Sequence, residues 1–315
     1  MRHLALFACI ALAGLPTVSL SQEVDPVALA APVAPGFIGG RSAIGNGRLF
    51  SNDLFGDGHD RWRTGSYVFS HLRARDPWDG TPQGFGEVLE YRFRTEIIAP
   101  TRKTRDRPYA GIVSLGAHSH FGLGPAEMSL GADLLAIGPQ TGLADFQEAY
   151  HKTFSLPRPP TRNQLDDRFA LTGTAEARYT YRLNPSTSLR PFVEGQAGAE
   201  DLVRAGADLI LGRVGQEDVL LRDVATGQLY RGTQGPETGV SFVMGGDVAA
   251  VDDSIFLPRA DGYVASDTRT RARAGVNWQP VPGITFFYGA TYLSPEFEGQ
   301  ESGQVLGSLK LNFNF

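Results

Sequence analysis

The residues best suited to catalysis in this sequence lie in one short segment, GPQTGLADFQEAYH, at positions 138–151. The spacing predicts a helix over 139–154, with Pro139 in its first turn. An apolar stripe follows the helix at Leu143, Phe146, Tyr150 and Phe154. Gln147 and His151 are four residues apart and therefore share a neighbouring face, which we expect to be exposed. A histidine titrates near neutral pH and is suited to act as a general base in hydrolysis, although a polar histidine on a surface helix is the simpler interpretation.

A second polar cluster lies upstream, where Asn52 and Asp53 leave one predicted strand and Thr64 enters the next. Amide and carboxylate oxygens at the end of a strand are hard ligands that suit Ca²⁺. The alternative is an Asx turn whose loop, which carries Asp60 and Arg61, is closed by a salt-bridged Asp–Arg pair. The pattern by itself leaves both interpretations open.

A third connection carries a dense group of basic side chains. Its members are Arg102, Lys103, Arg105 and Arg107. Basic side chains on loops are often only solvated. At the surface of an outer membrane they would instead face the phosphates of lipopolysaccharide, for which arginine and lysine are fitting donors.

Strands with strict alternation surround these clusters. In the segment 89–97, one face of the predicted strand is mostly apolar and carries Leu89, Tyr91, Phe93, Thr95 and Ile97. The other face is charged and carries Glu90, Arg92, Arg94 and Glu96. A soluble sandwich would bury the apolar face, whereas a membrane barrel turns that face toward lipid and keeps the charges in its lumen. Similar arginine rows over 168–182 and 269–273 favour the barrel.

Twelve such segments can be counted, and an even number is typical of bacterial single-chain barrels. They are 44–52, 62–72, 87–97, 109–120, 127–137, 168–182, 187–198, 203–212, 239–249, 268–278, 284–293 and 304–315. The last ends on Phe315, a residue common at the end of outer-membrane barrels. We therefore expect an all-β fold, a 12-stranded antiparallel transmembrane β-barrel of the outer membrane. With both termini periplasmic, the helix lies in an extracellular connection.

The N-terminus and the composition narrow the class of protein further. Residues 1–21 have the layout of a secretory signal peptide, 22–40 read as a flexible leader, and 41–315 form the barrel. The sole cysteine, Cys9, falls in the signal peptide, which excludes thiolate chemistry from the mature chain. A net charge of −5 argues against a nucleic-acid partner.

Taken in order, the polar motifs resemble those of the LpxR-type lipid A deacylases of the outer membrane. The resemblance is carried by Asn52-Asp53, Asp60-Arg61, Thr64-Gly65, the run from Asp106 to Gly111, Ile137-Gly138-Pro139, Gln147 and His151. It covers residues 45–165 by motif and the remainder only by strand pattern. It implies a twelve-stranded barrel with its site between the wall and the extracellular helix, and Ca²⁺-dependent removal of the 3′-linked acyloxyacyl chain from lipid A. The expected partners are lipid A or lipopolysaccharide as substrate and outer-membrane lipid around a monomer.

The resemblance also assigns roles to residues. His151 would be the general base that activates water. Four other residues would complete the site, with Asn52 and Asp53 near the metal and Thr64 and Gln147 along its wall. Lys103 would meet a substrate phosphate or ester oxygen, with Arg102 as the alternative.

One departure from the family pattern concerns the support of the imidazole. The family has an acidic residue six positions after the histidine, where this chain has Pro157. Glu148, Asp166 or Asp167 could replace it; otherwise a catalytically silent barrel that binds lipopolysaccharide is the alternative function. A small pore is a third interpretation, which the crowded lumen disfavours.

Overall fold

The structure, a computed structural model, describes residues 40–103 and 106–313. The expectations for the signal peptide, for the leader up to residue 39, and for Cys9, Arg105 and Phe315 fall outside these residues and stay predictions.

Antiparallel strands make up most of the described chain. Their bounds are β1 Arg41–Asn52, β2 Trp62–Arg75, β3 Val88–Ala99, β4 Ala110–Leu123, β5 Ala126–Ile137, β6 Arg168–Tyr179, β7 Tyr181–Asn184, β8 Thr187–Ala197, β9 Glu200–Leu211, β10 Leu220–Arg222, β11 Leu229–Arg231, β12 Gly239–Ser254, β13 Thr268–Val281, β14 Ile284–Leu293 and β15 Gln304–Phe313. β6 and β7 form one wall strand interrupted at Thr180, because both pair with β8 and the register is kept from Arg178 to Arg182, with a shift only after Arg182. With β10 and β11 set apart as a separate hairpin, the described residues form a closed barrel of twelve wall strands.

The barrel closes where its first and last strands meet. β1 pairs with β15 at Phe50 with Leu309, Ser51 with Ser308 and Asn52 with Gly307. All neighbouring wall strands are antiparallel, so successive connections alternate between the two ends. The connections after β1, β3 and β5 therefore lie together at one end, which brings the three polar clusters of the sequence to the same place.

The alternation of side chains follows the membrane-barrel arrangement. On β3, Glu90 and Glu96 are buried, whereas Tyr91 and Phe93 are exposed on the outer face. Luminal charges are paired, as between Arg92 and Glu90 at 2.8 Å. Glu90 and Arg92 can be buried together because their charges are opposite.

A hairpin from the connection between β9 and β12 occupies the lumen. Its strands β10 and β11 are fully buried. The hairpin contacts wall strands on several sides of the lumen: Arg222 with Glu176 of β6 and Asp208 of β9, Tyr230 with Ser70 of β2, and Gln228 with Thr291 of β14. The connection starts from the end of the barrel opposite the polar clusters. This filled lumen disfavours the interpretation of the protein as a pore.

The predicted helix is present but begins later than expected. Pro139–Thr141 form a separate 3-10 turn, and α1 spans Leu143–Thr153. Gly142 divides them because it adopts a left-handed conformation, with φ 68°, that interrupts the helix. Within the described residues, no helix combines the length and apolarity needed to cross a membrane.

Candidate active site

A cleft of about 810 Å³ lies on the outer face of the barrel wall, beneath α1. Outward-facing side chains of three adjacent strands line it: Phe50 of β1, Tyr67 of β2, and Thr95 and Ile97 of β3. The helix approaches the wall closely at Gly111 of β4, where a Cβ atom would lie 3.0 Å from Leu143. Only glycine permits this approach, so Gly111 sets how near the helix lies to the wall.

α1 turns Gln147 and His151 toward the wall and its aromatic side chains outward. Gln147 and His151 are buried against the cleft, and His151 is only 6% exposed. Phe146 and Phe154 are 63% and 61% exposed. The two faces exist as predicted, but the expectation that His151 is exposed is wrong, because the side of the helix that carries it packs toward the polar connections.

The imidazole of His151 is held by a main-chain group. Its Nδ1 atom lies 2.6 Å from the carbonyl oxygen of Pro157. Because a carbonyl can only accept, Nδ1 carries the proton of the neutral ring and Nε2 keeps its lone pair. Nε2 lies 3.6 Å from Oδ2 of Asp60, beyond hydrogen-bonding distance, so the lone pair is available.

Asp60 is a shared partner of several cleft residues. It accepts a hydrogen bond from Arg102 at 2.7 Å and another from the side-chain amide of Gln147 at 3.3 Å. An Asp–Arg pair does close the loop, but it joins Arg61 to Asp57 at 3.5 Å and does not involve Asp60. Asp60 therefore faces Gln147 of the helix and Arg102 instead of closing its own loop.

Asn52 and Asp53 form the turn that follows β1. The Oδ1 atom of Asn52 accepts from the backbone N–H of Leu54 at 2.8 Å, which confirms the Asx turn. Asp53 is 4% exposed and accepts from the backbone N–H of Arg61 at 3.2 Å. Burial and the neighbouring carboxylate of Asp60 raise the pKa of Asp53 to about 8.

Thr64 enters the cleft through an irregularity in β2. Arg63 pairs with Ile98 and Gly65 with Ile97, so Thr64 is the extra residue of a β-bulge. A bulge redirects side chains without ending the strand. Arg63 thus stays in the lumen with Glu96, while Thr64 lines the cleft.

The connection after β3 is tied to the β1–β2 connection. Asp106 accepts from the indole N–H of Trp62 at 2.9 Å and from the backbone N–H of Thr101 at 2.8 Å. This fixes the start of the loop that carries Arg102 and Lys103. Both line the cleft, and Lys103 is exposed.

The basic cluster of this connection is divided in the structure. Arg107 is 1% exposed and pairs with Glu296 at 2.6 Å, so the expectation that it faces phosphate is wrong. Its guanidinium also lies over the ring of Phe297 at 5.5 Å. Arg107 therefore supports the wall, and the described members of this basic cluster that line the cleft are Arg102 and Lys103.

The donors of the cleft fit a hard cation in type. Asp53 is a buried carboxyl beside the carboxylate of Asp60, and burial and that neighbour raise its pKa. The buried Oε1 atom of Gln147 has no hydrogen-bond partner among residues 40–103 and 106–313. In the same ranges, no three His, Cys, Asp or Glu side chains come together as a metal cluster. A Ca²⁺ here would rest on mixed oxygen donors rather than a set of carboxylates.

The sequence profile of the family described as outer membrane protein LpxR matches residues 20–315. The chain belongs to the LpxR family. Among solved structures, LpxR from Salmonella typhimurium superposes with a TM-score of 0.70 at 17% identity, covering 87% of this chain and 100% of that chain. The NanC porin and the β domain of the Bordetella autotransporter BrkA match with TM-scores of 0.40, at 8% and 10% identity, each covering 87% of this chain and 100% of the other. No curated protein sequence matches the chain.

The membership and the fold confirm an outer-membrane barrel of the LpxR type. All seven residues that the sequence placed in the site line this one cleft: Asn52, Asp53, Thr64, Arg102, Lys103, Gln147 and His151. Sequence reasoning missed the contacts of Asp60 and the carbonyl of Pro157. Two of the three candidate replacements for the absent acid are engaged elsewhere, since Glu148 pairs with Arg158 at 3.1 Å and Asp167 accepts from the backbone N–H of Gln140 at 2.7 Å. The third, Asp166, is exposed.

Proposed function

We propose that this protein is a Ca²⁺-dependent lipid A deacylase of the outer membrane that hydrolyses the ester of the 3′-linked acyloxyacyl chain. The observation that carries the proposal is the orientation of His151. Its Nδ1–H is held by Pro157 at 2.6 Å, and its Nε2 lone pair is free in a cleft on the lipid-facing side of the wall. Membership of the LpxR family supports lipid A as the substrate.

In the reaction, Nε2 of His151 takes a proton from water as the water oxygen attacks the ester carbonyl. The resulting imidazolium faces the side chain of Asp60, whose Oδ2 atom lies 3.6 Å from Nε2. The same proton then passes to the departing alkoxide oxygen when the ester bond breaks. Arg102 and Gln147 hold Asp60 in position throughout.

Asp53, Asn52 and the unpaired Oε1 of Gln147 are the oxygen donors that would hold Ca²⁺. When bound, Ca²⁺ supplies positive charge that stabilises the oxyanion of the ester carbonyl. Thr64, redirected by the bulge, lines the same cleft and can donate a hydrogen bond to substrate.

The cleft faces the cell exterior in this proposal, since lipopolysaccharide occupies the outer leaflet. Lys103 is exposed at the cleft and meets a phosphate of the substrate. We propose that the protein acts as a monomer, as the resemblance to the family implies.

Mass spectrometry of lipid A tests the proposal. Purified protein with excess Ca²⁺ in detergent micelles should release an acyloxyacyl chain from lipid A, and His151→Ala should not. If the wild-type protein leaves lipid A unchanged under these conditions, the silent lipopolysaccharide-binding barrel replaces the enzyme.

A further inference from the structure

The aromatic side of α1 is exposed rather than packed against the described part of the protein. Within the part of the chain that the structure describes, Phe146, Tyr150 and Phe154 are 63%, 43% and 61% exposed, and the rings of Tyr150 and Phe154 pack on each other at 4.7 Å. A surface helix normally turns such residues toward the core. Here the core-facing side carries Gln147 and His151 instead.

The charged residues of α1 lie on yet another side. At 3.6 residues per turn, Asp145 and Lys152 are about 150° around the helix from the centre of the aromatic stripe. Both are exposed. One side apolar and the opposite side charged is the arrangement of a helix that lies in the plane of a membrane interface.

The opposite lip of the cleft is apolar as well. Leu54, in the turn after β1, is 64% exposed, and Phe55 packs edge-on against Phe50 at 6.0 Å. Leu54 and Phe55 line the same cleft as Phe146 and Tyr150. Exposed apolar side chains therefore border the cleft on both sides.

The floor of the cleft continues into the lipid-facing wall. Thr95 and Ile97 of β3 line the cleft, and Phe93 and Tyr91 follow on the same face of the same strand, exposed on the barrel exterior. No change of face separates the cleft from this apolar surface. The apolar outer surface of the wall therefore extends without interruption to the cleft.

We propose that the aromatic stripe of α1 and the Leu54–Phe55 lip are immersed in the acyl chains of the leaflet around the barrel, so that the cleft opens sideways into lipid rather than upward into water. The occupant of this surface is the acyl region of membrane lipid. Asp145 and Lys152 then mark the aqueous side of the helix. A lipid enters between the two lips without leaving the leaflet.

Nitroxide accessibility tests this placement directly. Single cysteines replace Phe146, Phe154 or Leu54 on a Cys9→Ser background, with Asp145→Cys and Lys152→Cys as water-facing controls on the same helix. Leu115→Cys, on the exposed outer face of β4, is the lipid-facing control. Each protein is reconstituted in dioleoylphosphatidylcholine vesicles, and heat-modifiable migration verifies that the labelled barrel is folded.

Labels at 146, 154 and 54 should resemble the label at 115, with a severalfold higher ratio of oxygen to nickel-chelate accessibility than labels at 145 and 152. A ratio equal to that at 145 and 152 would place the stripe in water and overturn the proposal. Low accessibility to both reagents, with spin–spin broadening, would show that a second copy of the chain covers the stripe and would overturn it equally. The measurement requires no catalysis, so its outcome is independent of the proposed deacylase activity.

Discussion

The Nδ1 atom of His151 lies 2.6 Å from the carbonyl oxygen of Pro157, the residue six positions further along the chain. The family pattern places an acidic side chain at this position, and its absence raised the alternative of a silent barrel. The main-chain carbonyl accepts the hydrogen bond that a carboxylate would accept and fixes the same tautomer. It provides orientation without a negative charge.

Replacing His151 should abolish hydrolysis but leave the barrel intact. We expect His151→Ala to lower kcat about 10²- to 10⁴-fold, the usual contribution of a general base. Lipid A turnover and heat-modifiable migration measure the two properties separately. Lys152→Ala, the neighbouring change on the outer side of α1, is the matched control and should retain activity. Comparable losses in both variants would indicate that the helix, rather than the imidazole, is being disturbed.

Changes at Pro157 should have small effects because its contact with His151 is made by the main chain. Pro157→Ala keeps the carbonyl, so we expect kcat within about threefold of wild type, less than about 0.7 kcal/mol in barrier height. Pro157→Glu, which introduces the family acid, should also bring little gain in kcat, because the main-chain carbonyl already fixes the tautomer of His151. A rise of kcat by an order of magnitude in Pro157→Glu would contradict the carbonyl's role.

Asp60→Asn should reduce kcat more than it affects folding. The change removes the charge that faces the imidazolium and weakens the contacts to Arg102 and Gln147. Charge-assisted hydrogen bonds contribute about 1.5–3 kcal/mol, so we expect a loss of about 10- to 100-fold. Asp57→Asn removes a carboxylate from the same loop that pairs with Arg61, and it should leave kcat nearly unchanged. Equal effects of the two changes would argue against a special role for Asp60.

Binding of Ca²⁺ should weaken as pH falls below about 8, because the pKa of Asp53 is raised to about 8 and the cation must displace its proton. The apparent affinity should fall about tenfold per pH unit over this range. Without Ca²⁺, the raised pKa of Asp53 also makes the stability of the fold depend on pH. As pH rises from about 4 to 8, the unfolded chain loses the Asp53 proton while the folded chain keeps it, so the free energy of unfolding decreases. Isothermal titration at several pH values measures the first effect, and Asp53→Asn should flatten the pH dependence of both. A pH-independent affinity between pH 6 and 8 would exclude Asp53 as a ligand.

Arg102 and Lys103 should differ in which kinetic constant they control. Arg102 contacts Asp60 at 2.7 Å, so Arg102→Ala should lower kcat. Lys103 is exposed at the cleft, and Lys103→Ala should mainly raise KM for lipid A. Initial-rate kinetics in mixed micelles separate the two. If Lys103→Ala lowered kcat with KM unchanged, Lys103 would belong to the reacting centre instead.

The barrel was predictable because its signal is local. Alternation along β3 between Glu90 or Arg92 and Tyr91 or Phe93 places each side chain on one face without reference to any other strand. The luminal hairpin was not predictable in this way. Leu220 and Tyr230 are buried by a wall that surrounds them from distant parts of the sequence, so no periodicity marks them.

The site was predictable in its members but not in their contacts. His151 and Gln147 stand at helical spacing, which shows in the sequence. The partners of Asp60, however, lie 42 and 87 residues away at Arg102 and Gln147. The acceptor at Pro157 is a main-chain oxygen, which every residue has, and therefore leaves no mark in the residue types.

The position of the cleft on the outer face of the wall, rather than in the lumen, changes what substrate concentration means for this protein. Under the proposed function, lipid A would reach Phe50 and Ile97, which line the cleft, by two-dimensional diffusion within its leaflet. Saturation is then set by the number of lipid A molecules per unit of surface, and unreactive lipid competes simply by diluting that surface. Turnover in a cell accordingly depends on leaflet composition and fluidity, quantities that a bulk molar concentration does not describe.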